Sequence, residues 1–248
     1  MPLKLLSYNI RYGGVGREAY LSAVVRSCNP DLVVFQEATR PAVIERLASD
    51  TQMPVWAARD GHSLAFMSRL PITHYEWHRP PRTRHPYLEI VPADTGLRVF
   101  GLHLSAIHSN LAEWRRIREL RAMLKDIEQY QQGYHALVGD FNTLAPGAIL
   151  DTRRLPLRLL PLLWLGGGKI HWRVIQIMLD AKYTDGYRSL HPADAGFTFP
   201  TWGANIRFDY IFLPQAFANR LTACEVFRDS LVTQASDHFP LLAQVEVG

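Results

Sequence analysis

Short apolar runs alternate with amphipathic stretches along most of the chain. Residues 3–10 (Leu-Lys-Leu-Leu-Ser-Tyr-Asn-Ile) read as a strand, and Gly13, Gly14 and Gly16 make the turn that follows. Residues 17–27 put Tyr20, Leu21, Val24 and Val25 on one helical face, and Asn29-Pro30 ends that helix. Residues 31–35 form a short buried strand leading to Gln36-Glu37, and a second helix is predicted over 41–50. Strands follow at 53–58, 63–68, 72–78, 87–91 and 97–104; their β-branched and aromatic content, with Pro and Gly between, predicts antiparallel ribbons. The strongest helical pattern covers 111–131. There Leu111, Trp114, Ile117, Leu120, Leu124 and Ile127 form an apolar stripe, with Arg and Glu on the far side.

The second half continues the alternation. Residues 135–142 are a buried strand running into a polar tip, 171–181 a helix, and 197–199, 207–213, 221–228 and 239–247 further strands. No repeat recurs at a fixed period and no linker splits the chain, so a single α/β domain over 1–248 is predicted, with helices covering sheets. One stretch is different. About 144–170 combines prolines, apolar residues, Arg153, Arg154, Arg158 and a Gly166-Gly167-Gly168 hinge, and reads as an apolar and basic insertion.

Hydrophobic residues are 48% of the 248 and charged residues 20%, enough apolar material for a core and too much for a disordered chain. The apolar run at 155–165 is far short of the ~20 residues of a spanning helix and contains Arg158. No cationic flank and long apolar stretch open the chain, so no secretory signal is expected. Two cysteines, Cys28 and Cys224, make neither a disulfide framework nor a four-thiolate metal site. The expectation is a cytoplasmic, monomeric protein with reduced thiols. Lys and Arg exceed Asp and Glu by 27 to 23, a net +4 that permits a polyanionic partner.

Candidate chemistry gathers where apolar strands meet polar residues: Asn9, Glu37, His103, Asp140 with Asn142, and the later Asp209 and Asp237-His238. Singly, each has an ordinary reading. Glu37 caps or turns, Asp140 and Asn142 make an Asx-turn, and His103 is a packed, partly buried histidine. Their joint occurrence points to a site, because strand ends on one rim of a sandwich converge. The donors are rich in oxygen and lack thiolate, which favours Mg²⁺ or Mn²⁺.

Six short motifs carry a resemblance: Ser7-Tyr8-Asn9-Ile10-Arg11, Phe35-Gln36-Glu37, Gly101-Leu102-His103-Leu104, Gly139-Asp140-Phe141-Asn142, Arg207-Phe208-Asp209-Tyr210-Ile211 and Ser236-Asp237-His238-Phe239-Pro240. In this order they resemble the endonuclease/exonuclease/phosphatase superfamily, from Leu5 to Leu242; residues 65–72 also look like that family's strand and turn after the glutamate motif. The resemblance implies a four-layer α/β/β/α sandwich of two facing mixed sheets. It implies a metal-dependent phosphodiesterase, with Glu37 as the principal metal ligand and Asn9 and Asp237 beside it. Asp140 would orient and deprotonate the attacking water, Asn142 would hydrogen-bond a phosphate oxygen, and Asp209 would hold His238. His238 would grip the phosphate as a cation or itself act as the base, and both alternatives stay open. His103 would serve the leaving-group side, as hydrogen-bond donor or general acid.

Substrate is less legible, since one fold hosts many substrates. Asn9-Ile10-Arg11 looks like the pancreatic deoxyribonuclease motif, in which the arginine touches nucleic acid. Arg79, Arg82, Arg84 and His85 form a basic loop around Pro80 and Pro81. Arg115, Arg116, Arg118 and Arg121 on the long helix read either as a phosphate-tracking face or as ordinary solvation. Trp202 either stacks on a base or packs in the core. The abasic-site branch usually has Tyr at His103 and an acidic residue at Arg11, so the chain resembles the deoxyribonuclease and sphingomyelinase side more. DNA is the expected substrate, and a DNA endonuclease the expected activity. The alternative is a phospholipid phosphodiesterase or inositol-phosphate phosphatase, its lipid contact made by the apolar residues of 150–165.

Overall fold

The computed structural model describes residues 2–106, 109–148 and 172–248. The apolar and basic stretch predicted at 144–170 therefore lies, from 149 onward, outside the described residues, and so does the lipid-contact segment 150–165.

Two sheets face each other. In the first, β1 (Leu3–Asn9), β2 (Leu32–Gln36), β3 (Val55–Ala57), β4 (Ala65–Ser68), β11 (Leu221–Val226) and β12 (Leu241–Val245) run in the order β11-β12-β1-β2-β4-β3. In the second, β5 (Ile72–His78), β6 (Tyr87–Pro92), β7 (Arg98–His103), β8 (His135–Asp140), β9 (Tyr183–Asp185) and β10 (Asp209–Pro214) run β5-β6-β7-β8-β10-β9. Both sheets are mixed: β1 and β2 are parallel, as are β7 and β8, and the other pairings are antiparallel. The helices lie outside. α1 (Glu18–Cys28) and α2 (Pro41–Thr51) pack Leu21, Val24, Ile44 and Leu47 on the first sheet. α3 (Asn110–Asp126) and α4 (Arg173–Asp180) pack Leu120, Met123, Val174 and Met178 against Phe100, Leu137 and Phe212 of the second. This is the α/β/β/α sandwich.

Strand parity positions the site. On β7, Phe100 and Leu102 point to the helices, while Val99 joins the core between the sheets; by the period of two, His103 shares the inner face. On β10, Tyr210 and Phe212 point out and Ile211 in, which puts Asp209 inward. Register does the rest. His103 pairs with Asp140 across β7 and β8, and Asp209 pairs with Asp140 across β10 and β8. Three functional candidates thus sit side by side on adjacent strands, ~4.8 Å apart in the hydrogen-bonding direction. Gly139 makes this possible: at φ 145° its position has no room for a Cβ, which would meet the Leu102 carbonyl oxygen at 1.9 Å. Gly101 serves the approach of the sheets, since a Cβ there would lie 2.6 Å from Val34 of β2.

Four findings differ from the sequence pattern. The long helix stops at Asp126, and Glu128–Tyr130 continues as a 3-10 turn. Its first half buries a polar face. Leu111 and Trp114 are more than half exposed, while Glu113, Arg116 and Glu119 are buried among one another and the loop after β7. Short elements escape periodicity altogether: β9, the one-turn helix α5 (Gly186–Leu190) and α6 (Ser230–Ala235) had no pattern long enough to read. The predicted strand at 197–199 is a single bridge between Phe199 and Ile206. No helix among the described residues is long and apolar enough to cross a membrane.

Candidate active site

The predicted strand-end residues meet at one rim between the sheets. Asn9 closes β1, Glu37 follows β2, His103 closes β7 and Asp140 closes β8. Asp209 opens β10 rather than ending a strand, and its antiparallel run brings it to the same rim. Asp237 and His238 lie in the segment entering β12, beside β1.

Asp140 is the centre. It is 1% exposed, and its Oδ1 accepts the Asn142 backbone N–H at 2.8 Å. Its Oδ2 accepts the Asn9 side-chain amide at 3.0 Å. The same oxygen stands 3.8 Å from His103 Nε2 and 3.9 Å from His238 Nε2, a carboxylate flanked by two imidazoles. Asn9 reaches across from the other sheet, and its amide also donates to Glu37 Oε1 at 3.3 Å. Glu37 and Asp140 are thereby tied to one donor.

Glu37 adopts φ 57°, in the left-handed region, and the turn around it holds it there. The backbone N–H of Tyr12 donates to Glu37 Oε2 at 2.6 Å, that of Gly13 to its carbonyl at 2.8 Å, and its own N–H donates to Ser63 Oγ at 3.0 Å. Ser63 in turn lies 2.5 Å from His103 Nδ1. Burial pushes the His103 imidazole well below its ordinary pKa, with the neighbouring His85 and His238 adding to the effect and Glu37 opposing it. A neutral ring that accepts the Ser63 proton on Nδ1 carries its own on Nε2, the atom that faces Asp140.

His238 is the opposite case. Burial disfavours its charge, but Asp209, Asp140 and Asp237 outweigh burial and raise its pKa to about 10. Its Nδ1 donates to Asp209 Oδ2 at 2.9 Å. Asp140 is raised from the ordinary carboxylate range, first by burial and then by Asp209; His238 and the two amide donors oppose the rise. Ser236 ties the segment down: its hydroxyl donates to the Asn9 carbonyl at 2.6 Å and accepts the His238 backbone N–H at 3.3 Å.

The residues suit a hard divalent cation. The carboxylates of Glu37, Asp140, Asp209 and Asp237 outnumber the local cations Arg11, Arg17 and His238. Asp209 Oδ1 is buried without a hydrogen bond, and no thiolate is present, as both cysteines are buried elsewhere in the core. Asp140, Asp209 and His238 each bring a carboxylate oxygen or ring nitrogen within 4.8 Å of the others, a candidate metal-binding cluster to which the ring contributes only when unprotonated and the two carboxylates in either state of the ring.

The predicted substrate contacts spread around this rim. Arg11 is half-exposed and lies 3.4 Å from Asp237 through its Nε. Trp202 is 51% exposed, edge-on to Phe199, which packs on the His238 ring at 4.9 Å. Trp202 is thus a surface aromatic beside the site and not a core residue. Arg82 and Arg84 are exposed on the loop between β5 and β6, whose Pro80, Thr83 and His85 line a small crevice with His103 and Glu119. Asn142 sits at φ 50° and donates its side-chain amide to the Leu104 carbonyl at 2.9 Å.

Arg116 belongs to neither reading given to the helix arginines. It is fully buried, paired with Glu113 at 3.0 Å and donating to the Ser105 carbonyl at 2.9 Å. Glu119 accepts the Ser105 backbone N–H at 3.1 Å and bonds His85 Nδ1 at 3.0 Å, and the His85 ring stacks toward His103 at 6.3 Å. This network and Ser63 are supports that sequence reasoning missed. Ser63 was within reach: β2 and β4 pair Phe35 with Ala65, and two steps along that antiparallel register set 63 opposite 37.

A model of the Endonuclease/Exonuclease/phosphatase family matches residues 6–238. No curated protein sequence matches the chain significantly. Among solved structures, a 3′ phosphatase from Neisseria bound to a product DNA hairpin aligns with TM-score 0.74 at 21% identity, covering 98% of this chain and 99% of that one. A 3′-5′ exonuclease from Neisseria meningitidis gives 0.73 at 22%, over 98% and 100%. An AP endonuclease from Archaeoglobus fulgidus gives 0.76 at 17%, over 99% and 100%. At these identities the likeness is one of fold.

Proposed function

The chain belongs to the Endonuclease/Exonuclease/phosphatase family, and from that premise we propose that it is a Mg²⁺- or Mn²⁺-dependent phosphodiesterase acting on DNA as an endonuclease. The observation that carries this reading is the buried Asp140 carboxylate held between the His103 and His238 imidazoles, whose pKa values their surroundings drive in opposite directions.

Glu37, Asn9 and Asp237 would hold the ion, which when bound supplies charge neutralisation for the phosphate and for the departing oxygen. Asp140 is the base. Its raised pKa brings it toward neutrality, where a carboxylate combines ionisation with a useful affinity for the proton of water. His238 holds its own proton up to about pH 10, so it is a cation that grips a phosphate oxygen and not a second base. Asp209 fixes that ring and its charge. His103, neutral with hydrogen on Nε2, donates to a phosphate or leaving oxygen; its lowered pKa argues against an imidazolium acid there. Asn142 has a second amide hydrogen beyond its bond to Leu104, available to a phosphate oxygen.

DNA is favoured by the half-exposed Arg11, the exposed Arg82 and Arg84 and the exposed ring of Trp202 around the rim. Of the three aligned structures, one is a 3′ phosphatase bound to a product DNA hairpin, and the others are a 3′-5′ exonuclease and an AP endonuclease. His103 and Arg11 depart from the abasic-site pattern, which favours a deoxyribonuclease-like activity. The test incubates the protein and Mg²⁺ with supercoiled plasmid, an abasic oligonucleotide, sphingomyelin vesicles and inositol phosphates in parallel. Plasmid nicking that EDTA abolishes is expected; turnover of lipid or inositol phosphate with intact plasmid would replace this reading with the alternative.

A further inference from the structure

β5 is an edge strand of the second sheet, and its alternating positions His74, Glu76 and His78 share one face. Trp77, between them, packs into the core between the sheets, so this face is the outer one. Glu89 of β6 lies directly opposite Glu76, and Phe100, opposite Glu89 on β7, points to the helices. The group therefore sits on the other side of the sheet from His103 and two strands further out.

Three donor atoms, one each from His74, Glu76 and His78, lie within 4.8 Å of one another, and Glu89 Oε2 stands against both imidazoles. His74 Nε2 is 3.8 Å from Glu76 Oε2 and 4.0 Å from Glu89 Oε2. His78 Nε2 is 3.9 Å from Glu76 Oε2 and 2.6 Å from Glu89 Oε2. A tetrahedral ion with bonds of about 2.0–2.1 Å needs ligand atoms roughly 3.4 Å apart. Three of these separations need only a small contraction, and the fourth is a hydrogen bond that an ion would replace. Charged edge positions also keep a sheet from pairing with another chain, yet that role requires no convergence of Nε2 and Oε2 atoms. Nor would it bury Glu89, whose side chain is 4% exposed and aims Oε2 into the group.

The supports resemble those of a ligand set. Glu89 Oε1 is paired with Arg98, which leaves Oε2 for the cluster. The His78 ring stacks on Tyr87 at 4.9 Å, and Tyr87 donates its hydroxyl to Asp126 at 2.6 Å, so the ring's orientation is set from behind. Two imidazoles and two carboxylates suit a borderline ion and not Mg²⁺.

We propose that His74, Glu76, His78 and Glu89 form a second metal site, for Zn²⁺ or a similar borderline divalent ion, which clamps the edge strand β5 to β6.

The test titrates Co²⁺, a visible-absorbing stand-in for Zn²⁺, into metal-free, tag-free full-length protein. One equivalent with tetrahedral absorption bands, displaced by Zn²⁺, is expected in the wild type. It is also expected in Asp140→Asn, where the candidate catalytic cluster is disabled. The double variant His74→Ala/His78→Ala should lose the bands. Glu76→Gln, at an exposed carboxylate, should weaken Co²⁺ at least about tenfold, as even loss of a ligand's supporting partner does. Wild type without the bands, bands unchanged in the double variant, or bands lost in Asp140→Asn alone would each overturn the proposal. Mg²⁺-dependent nicking by the double variant reads the catalytic assignment separately.

Discussion

At the scale of single residues, the account turns on two ionisations that burial and neighbours drive in opposite directions. Asp140 must be charged to take a proton, and its raised pKa means that activity falls as pH drops through the neutral range. His238 must be charged to hold the phosphate, so activity falls as pH rises past about 10. Asp209 raises both groups. Asp209→Asn is therefore expected to move both limbs of the pH profile of kcat/KM downward, and limbs that stay in place would contradict the coupling. The residues that this scheme uses were legible because each ends or opens an apolar run, where a polar residue stands out. Glu119 and Arg116 were not. Each lies inside a stretch whose polar members look like ordinary surface, and only tertiary packing reveals that Arg116 is enclosed.

At the scale of elements, α3 carries that lesson furthest. Its apolar stripe predicted burial of Leu111 and Trp114, whereas the first three turns bury Glu113, Arg116 and Glu119 and leave those two side chains outside. Periodicity counts apolar positions, and it cannot see that a buried guanidinium satisfied by a carboxylate and a carbonyl competes with them. The arrangement gives the helix a task beyond covering the sheet: through Ser105 and His85 it fixes the chain just past His103. Arg116→Met would leave Glu113 buried without its counter-charge, and a loss of about 3–5 kcal/mol in unfolding free energy is expected. Arg115→Met, one position earlier and exposed, should stay within about 0.5 kcal/mol. Equal effects in a denaturant titration would show that the network contributes nothing particular. The strands were read with boundaries close to those found, because alternation and Pro or Gly punctuation are local signals; β9 and α6 are too short to carry one.

At the scale of the whole molecule, two mixed sheets bring distant segments to one rim, and the family's order of motifs made that legible from the chain alone. The distribution of charge did not follow from the net +4. Arg116 is withdrawn into the core, while Arg82 and Arg84 stand exposed on a loop next to His103. If that loop tracks phosphates, plasmid nicking at limiting DNA should weaken steeply between low and physiological salt. Arg82→Ala/Arg84→Ala should reduce the slope of log rate against log salt by about 2, one per lost phosphate contact. An unchanged slope would remove the loop from the DNA contact.

The central claim is that this rim hydrolyses a phosphodiester with Asp140 as base in the presence of a divalent ion. Single-turnover cleavage of an end-labelled DNA duplex, by wild type and by Asp140→Asn with thermal unfolding followed in parallel, tests it most directly. Wild type should cut with Mg²⁺ and stop with EDTA. Asp140→Asn should be slower by about 10²–10⁴-fold while folding at least as stably, because a buried carboxylate repelled by Asp209 has been neutralised. A well-folded Asp140→Asn that cuts at the wild-type rate, or a wild type indifferent to EDTA, would contradict the claim.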